Sequence, residues 1–324
     1  MPFIKDVYWN IKKKNYELLK SIHELKSIGI EITNACNLHC KHCYMNSIQN
    51  KFKDNLTQEE WINFFIDLRK NFGNKVLIQI TGGEPLIRED IFIILKELKN
   101  LGFKISLATN GVLLDDQKLD LLSPLLTSLS ISLDGFSNSH NYLRDGNTYD
   151  KVLENIKKLT RHNIEYLSIK TVIYKKNIEE LAPFYQFLKT LKIDLWHVLP
   201  MELLGRGVMN KQEELSNQEY EKLCSFIDKI KKDKDKNMRV MFGEEADYFM
   251  SDNACDCLKY KLCSAGISSC GILYNGDVVN CIQEDRSTLS PQGNIKIENF
   301  KNIWDNKFLE HRSLDYRYCI NHKK

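Results

Sequence analysis

"ITNACNLHCKHCYM", residues 32–45, follows a short apolar run and places Cys36, Cys40 and Cys43 within eight positions, with His39 and His42 between them. Three sulfurs this close raise the question of which metal they hold and what fills its fourth position. A closed structural zinc site takes four ligands, commonly as two separated pairs. Adding His39 or His42 would make a Cys₃His set, but all four ligands would then close a very small ring. An iron–sulfur cluster is also held by thiolates, normally four. With three from the protein, one iron stays open to another ligand. An open coordination position marks a catalytic site rather than a staple.

The run before the cysteines, "IGIEIT" (Ile28–Thr33), is the first of six of its kind. The others are "VLIQIT" (Val76–Thr81), "KISLAT" (Lys104–Thr109), "SLSISLD" (Ser128–Asp134), "YLSIKTVI" (Tyr166–Ile173) and "DLWHVL" (Asp194–Leu199). They are rich in Ile, Leu and Val and barely alternate, which predicts strands covered on both faces. Helical patterns lie between them. One opens with a capping box at Thr57 and Glu60 and stops at Gly73; the next stops at Gly102. Another helix is expected from about Asn217, with Ser216 and Glu219 as its capping box. Alternation of this kind implies a parallel sheet with right-handed crossovers. The expected fold class is α/β, as an open sheet or a partial (β/α)6 TIM barrel, with its chemistry at the C-terminal ends of the strands. The three cysteines then sit on the loop after the first strand, at that edge.

The bulk numbers exclude little and agree with this. The chain has 324 residues, 43% hydrophobic and 27% charged, with a formal net charge of +3. That charge is too small to imply nucleic acid by itself. The mixed-sign run Lys229–Arg239 reads as a solvated helix end. The opening residues are broken by charges and show no signal-peptide core, and no later stretch is long and apolar enough to predict a membrane span. The expected location is the cytoplasm, where ten cysteines point to metal ligation or catalysis before disulfides.

With those residues in view, the chain resembles the radical SAM superfamily. The spacing C-x₃-C-x₂-C directly after the first strand is similar to that family's signature, in which Cys36, Cys40 and Cys43 would hold a [4Fe–4S] cluster whose fourth iron binds S-adenosylmethionine. The resemblance carries further motifs in order. "TGGEPL" matches the family's segment for the amino group of S-adenosylmethionine, which would involve Gly82, Gly83, Glu84 and Pro85. By the same likeness Asn110, Ser132 and Arg144 would contact its carboxylate and ribose region, and Leu199 would pack near the adenine. His42 takes the usually aromatic position before the third cysteine, and His39 has no family role. The plainer readings are a turn for the Gly-Gly-Glu-Pro stretch, a surface ion pair for Arg144 and ordinary core for Leu199.

Past Met250 the composition changes, and five of the ten cysteines fall within Cys255–Cys281. "LYNGDVVNC" reads as a hairpin turning at Asn275–Gly276. The pattern resembles the SPASM or twitch extension of radical SAM enzymes, a small α+β cysteine-rich domain that holds auxiliary [4Fe–4S] clusters. The implied ligands are Cys257, Cys263 and Cys281, with Cys319 as a fourth or as part of a second site. His322 stands where a further cysteine is expected, so the chain is expected to be truncated or to hold one auxiliary cluster at most. Cys224, Cys255 and Cys270 read as buried or incidental thiols, and zinc stays open as the metal of this region. The expected organisation is a helical lead-in (1–27), a barrel core (28–215), linking helices (216–250) and the auxiliary domain (251–324).

The resemblance implies an enzyme that cleaves S-adenosylmethionine reductively and abstracts hydrogen from a substrate. In the sulfatase-maturing members an aspartate follows the cysteine equivalent to Cys281; here it is Ile282, which argues against formylglycine formation, while Gln283 or Glu284 could face the substrate. Only 27 residues precede the first strand, so no fused leader-peptide module is expected. The leading expectation is radical modification of a ribosomally made peptide (a crosslink, thioether or epimerisation), with a flavodoxin or ferredoxin as electron donor. The alternatives are a small-molecule or cofactor-biosynthesis oxidoreductase and a non-enzymatic iron–sulfur or zinc redox sensor. The sensor would leave "TGGEPL", "SLDG" and Arg144 unexplained.

Overall fold

The computed structural model describes residues 14–49, 55–159, 161–233, 237–243 and 263–313. Its centre is a ten-stranded sheet. The six expected strands are β1 (Ser27–Glu31), β2 (Leu77–Thr81), β3 (Lys104–Thr109), β4 (Ser128–Ser132), β5 (Tyr166–Ile173) and β6 (Leu195–Pro200). They lie side by side in chain order and all pair in parallel.

Four more strands extend this sheet. Beyond β6 comes β7 (Arg239–Phe242), also parallel, from a region whose sequence reads as linking helix. On the far side of β1 lies β8 (Ser269–Ile272), then β9 (Asp277–Val279) and β10 (Gly293–Asn294). The cysteine-rich segment is therefore joined to the core by backbone pairing, Ser27–Ile30 against Ser269–Ile272. The β8–β9 hairpin turns at Asn275–Gly276, with Gly276 at φ +92°, as its sequence predicts.

Between the strands run α1 (Gln58–Phe72), α2 (Ile91–Asn100), α3 (Asp116–Leu122), α4 (Ser137–Arg144), α5 (Tyr149–Leu159) and α6 (Leu181–Lys189). After β6 come α7 (Arg206–Met209) and α8 (Asn217–Lys231); α9 (Phe300–Asn306) and α10 (Leu309–Ser313) follow β10. Both capping boxes form, at Thr57 with Glu60 and at Ser216 with Glu219. α1 buries Trp61, Phe64, Phe65 and Leu68 on one face, the spacing of an amphipathic helix on a sheet.

The two faces of the sheet differ. Ile28, Ile30, Ile78, Ile80, Ile105, Leu107, Leu129, Ile131, Ile169, Trp196 and Val198 are buried in the core shared with the helices. The in-register neighbours on the opposite face form polar rows. One crosses Gln79, Ser106 and Ser128; the next holds Ser130 and Ser168; a third holds Ser132, Lys170 and His197. This second face is the lumen of the partial barrel. All the motif loops leave the sheet at its C-terminal edge, because every strand of the core runs the same way.

Candidate cofactor and substrate site

The loop after β1 folds back on itself: Ala35–Cys36 pairs with Ile48–Gln49. Cys36 and Cys40 are buried and Cys43 is half-buried, packed together with Leu38 and Val112. The Leu38 amide donates to Cys36 Sγ at 3.4 Å, and Arg144 Nη1 donates to Cys40 Sγ at 3.8 Å. Burial pushes the Cys36 thiol up to about 11 and raises that of Cys40, against the pull of Arg144. Thiols this buried stay protonated, so a metal that takes them as thiolates must displace protons. Among the described residues no three His, Cys, Asp or Glu side chains converge closely enough to share one ion. Three thiolates on one loop could each bind a different iron of a cubane and leave its fourth iron open, so the donor set fits a [4Fe–4S] cluster.

Two devices hold the loop in place. Arg206, 5% exposed, donates from Nε to the Cys40 carbonyl at 2.8 Å and from Nη1 to the Ser47 carbonyl at 3.0 Å, while its amide donates to the Cys43 carbonyl at 2.9 Å. The sequence alone assigns Arg206 no role; an arginine between two glycines after the last core strand is the available signal. The second device is the Gly82–Gly83 pair. The Gly83 and Glu84 amides donate to the Thr33 and Ala35 carbonyls, both at 2.8 Å. A methyl group on Gly83 would overlap the Ala35 carbonyl, and Gly82 sits at φ +138°. Both glycines are needed because the cysteine loop lies directly on them.

Glu84 is fully buried. Its Oε1 accepts from Thr109 Oγ1 at 2.8 Å and from the Leu86 amide at 3.1 Å, and its Oε2 accepts from the Asn110 amide at 2.8 Å. Burial raises its carboxyl against these bonds. The residue therefore ties the ends of β2 and β3 together, and any contact with an amino group would use the remaining acceptor capacity of Oε2. Pro85 opens a short 3₁₀ turn behind it. Asn110 reaches across to Asn37 Oδ1 at 2.8 Å, linking this edge to the cysteine loop.

Arg144 is buried, and its ion pair lies inside the site rather than on the surface. Its Nε donates to Asp134 Oδ2 at 2.6 Å, and Asp134 Oδ1 accepts from the Val172 amide at 2.8 Å. Burial opposes ionisation of Asp134, but the Arg144 charge, with His42 and His140, holds it below the usual carboxylate range. His42 is pushed down to about 3 by burial, and its Nδ1 is buried without a hydrogen-bond partner. His140 is lowered to about 4, again by burial, and its Nδ1 accepts from the Asp134 amide. Both imidazoles are neutral at physiological pH. Ser132 and Leu199 are half-buried on the lumen face at the ends of β4 and β6.

In the cysteine-rich lobe, Cys263 and Cys281 are half-buried and flank the hairpin; Cys257, Cys319 and Cys255 lie outside the described residues. Cys270 and Cys224 are buried in the core, where burial raises the Cys270 thiol far above its ordinary range. Glu284 accepts from Asn280 Nδ2 at 2.8 Å, close to Cys281. The lobe also meets the core through an ion pair between the half-buried Arg286 and the buried Glu31, and Arg286 Nη2 donates to the Ile282 carbonyl at 2.7 Å. Burial pushes Glu31 up to about 7 against the pull of the Arg286 charge. A carboxylate inside the apolar run "IGIEIT" was the sequence signal for this contact.

Residues 30–188 match the radical SAM superfamily, and residues 263–322 match the SPASM iron–sulfur cluster-binding domain. The chain belongs to the radical SAM superfamily. It is 28% identical over 295 residues to the AdoMet-dependent heme synthase of Methanosarcina barkeri, covering 86% of this chain and 82% of that protein. It is 29% identical over 209 residues to a probable GTP 3',8-cyclase of Saccharolobus islandicus, covering 64% of this chain and 66% of that one. In fold it resembles Streptococcus suis SuiB bound to S-adenosylmethionine, with a TM-score of 0.70 and 20% identity over 89% of this chain and 68% of that one. It also resembles anSMEcpe with bound AdoMet, with a TM-score of 0.68 and 20% identity over 88% and 82%. This radical SAM enzyme takes a [4Fe–4S] cluster and S-adenosylmethionine, and its SPASM domain is a module for auxiliary iron–sulfur binding.

The enzyme's lumen has its own chemistry. Ser128 donates to Ser106 Oγ at 2.8 Å, and Ser130 and Ser168 share a hydrogen bond of 2.5 Å. Gln79 is exposed, in register with Ser106 and Ser128, and the half-buried Lys170 stands in register with Ser132 at the C-terminal end of β4. His197 Nε2 bonds the Gly243 carbonyl at 2.5 Å, tying β6 to the end of β7. A lumen lined by hydroxyl, amide and ammonium groups suits a polar substrate.

Proposed function

We propose that this enzyme modifies a ribosomally made peptide by hydrogen-atom abstraction. The observation that carries the reading is the polar lumen: Gln79, Ser106, Ser128, Ser130 and Ser168 present hydrogen-bonding groups of the kind that pair with backbone amides. When bound, the cluster and S-adenosylmethionine supply a 5'-deoxyadenosyl radical. Cys36, Cys40 and Cys43 would hold the cluster. Gly82, Gly83, Glu84, Pro85, Asn110, Ser132 and Arg144 would orient S-adenosylmethionine, with Leu199 beside the adenine and His42 filling space next to the cluster. Cys257, Cys263, Cys281 and Cys319 would hold the auxiliary cluster.

A second reading is a carboxylate-bearing cofactor precursor. It is favoured by the likeness to heme synthases along most of the chain and by Lys170, which stands in register with Ser132 and has no carboxylate partner among the described residues. The test uses anaerobically reconstituted protein with S-adenosylmethionine and dithionite. Formation of 5'-deoxyadenosine above the protein-free control tests the radical step. Short peptides encoded beside the gene and a propionate-bearing porphyrin are then offered in parallel and followed by mass spectrometry. A mass change in a peptide supports the first reading; a change confined to the porphyrin replaces it with the second.

A further inference from the structure

We propose that Ile282 is the positioning residue of the auxiliary site: its side chain, seated on Gly29 and Gly271, pins Cys281 to β1, the strand that runs into the Cys36 loop. The inference rests on Cys281 being a ligand of the auxiliary cluster, and it adds what fixes that ligand relative to the first site.

Two glycines stand side by side in the sheet, Gly29 in β1 and Gly271 in β8. Neither takes a positive φ, so backbone conformation does not ask for glycine at either place. Glycine inside a strand gives up stability and marks a close approach. Here the approaching group is Ile282. The three nearest neighbours of a Cβ on Gly29 would all be side-chain atoms of Ile282, the first at 3.3 Å. A Cβ on Gly271 would lie 2.8 Å from Ile282 Cγ2 and 2.9 Å from the Ile282 nitrogen, with Val279 Cγ2 at 2.7 Å. Ile28, Ile30, Cys270 and Ile272, the neighbours along each strand, belong to the core on the helix side, so the two glycines present the lumen face. Ile282 therefore fills a hollow at one end of the row that continues through Gln79, Ser106 and Ser128.

The main chain of Ile282 is held as well. Its carbonyl accepts from Arg286 Nη2 at 2.7 Å, and the same guanidinium pairs with Glu31, farther along β1 from Gly29. That guanidinium also stands 5.9 Å from the centre of the ring of Tyr44, the residue after Cys43. The turn bearing the sulfur is closed on itself: the Gln283 amide donates to Cys281 Sγ at 3.5 Å and the Glu284 amide to the Cys281 carbonyl at 3.2 Å. Side chain and carbonyl of one residue thus both end on β1, at Gly29 directly and at Glu31 through Arg286. Strand pairing cannot do this by itself, because β9 ends at Val279, before Cys281. The hairpin is placed by its hydrogen bonds, and the loop that follows it is placed by Ile282. Because β1 leads straight into the loop of Cys36, the pin holds the two cysteine regions at a fixed spacing.

The test exchanges bulk across the contact. Ile282→Ala empties the hollow, Gly29→Val fills it from the strand, and the double variant restores nearly the original volume with the side chain on the other partner. In the metal-free full-length chain, alkylation of Cys281 and of Cys36 by iodoacetamide is followed by peptide mass spectrometry. In protein reconstituted with iron and sulfide on a Cys40→Ala background, the electron paramagnetic resonance signal and midpoint potential of the auxiliary cluster are measured. Each single variant is expected to speed alkylation of Cys281 about fivefold or more, with Cys36 unchanged, because only the pinned loop opens more often. Each is also expected to broaden the auxiliary signal and shift its potential, and the double variant to return both readouts toward the wild type. Single variants that match the wild type, equal acceleration at Cys36, or a double variant no better than Gly29→Val would overturn the proposal. Should Cys281→Ala leave the auxiliary iron in place, the ligand assignment fails on its own, and the pin is still decided by the alkylation series.

Discussion

The two cysteine regions of this molecule are held in different ways. The loop carrying Cys36, Cys40 and Cys43 is braced from three sides: by Arg206 on its carbonyls, by Gly82–Gly83 beneath its backbone and by Arg144 at the Cys40 sulfur. The lobe carrying Cys263 and Cys281 is joined by strand pairing at β1–β8 and by the Glu31–Arg286 ion pair, while Cys281 Sγ accepts from the Gln283 amide within its own loop. The first site is shaped by the core before any cluster arrives. The proposed ligands of the second sit on a short hairpin and its flanks. The difference teaches that loss of the auxiliary cluster and loss of radical chemistry should be separable.

The largest effect tests that separation directly. Cys40→Ala is expected to abolish 5'-deoxyadenosine formation and to remove the iron of the first cluster, measured by iron content and electron paramagnetic resonance. Gly83→Ala comes next. Its new methyl group meets the Ala35 carbonyl, and overpacking of this kind costs about 1–3 kcal/mol. Thermal stability should fall, and cluster loading should fall with it, although no ligand has changed. If Gly83→Ala loads iron normally, the loop is not held by the glycine contact. Cys281→Ala is expected to remove auxiliary iron only and to leave dithionite-driven cleavage of S-adenosylmethionine in place. Loss of both would show that the two regions are one cooperative unit.

The smallest effects are in the pH dependence, where the two regions should respond with opposite sign. His140, behind the first site, is lowered to about 4 from 6.5. The unfolded chain takes up that proton first as pH falls, so the stability present above pH 6.5 is lost on the way down to about 4, by ~3 kcal/mol at most. Glu31, between the lobe and the core, is raised to about 7 from 4.5. Here the folded chain holds the proton longer, so the stability present below pH 4.5 is lost as pH rises to about 7. Urea unfolding from pH 4 to 8 should show His140→Asn removing a rise in stability with pH between about 4 and 6.5, and Glu31→Gln removing a fall between 4.5 and about 7. A common response of both variants would contradict the assignment.

Much of the core was legible in the sequence because its signals are local. Ile, Leu and Val runs read as strands, with Lys104–Thr109 and Tyr166–Ile173 matching to the residue. Thr57 with Glu60 and Ser216 with Glu219 read as helix starts, since a capping box needs only four neighbouring residues. The cysteine spacing singled out its loop for the same reason. What the sequence left open lies in pairs far apart along the chain. The glycines on either side of Arg206 mark it but do not name the Cys40 carbonyl as its partner, and β7 reads as part of a helical linker until β6 supplies its partner.

The sequence by itself determined the order of strands and helices, the cysteine set and its family, because periodicity, turn chemistry and short motifs are written in adjacent residues. Only the tertiary structure decided that Arg144 is buried against Asp134, that Glu84 is occupied by the ends of two strands and that the cysteine-rich hairpin continues the same sheet. Burial and long-range hydrogen bonding arise only when distant segments meet, and they fix which charged groups are held inside and which remain at the surface.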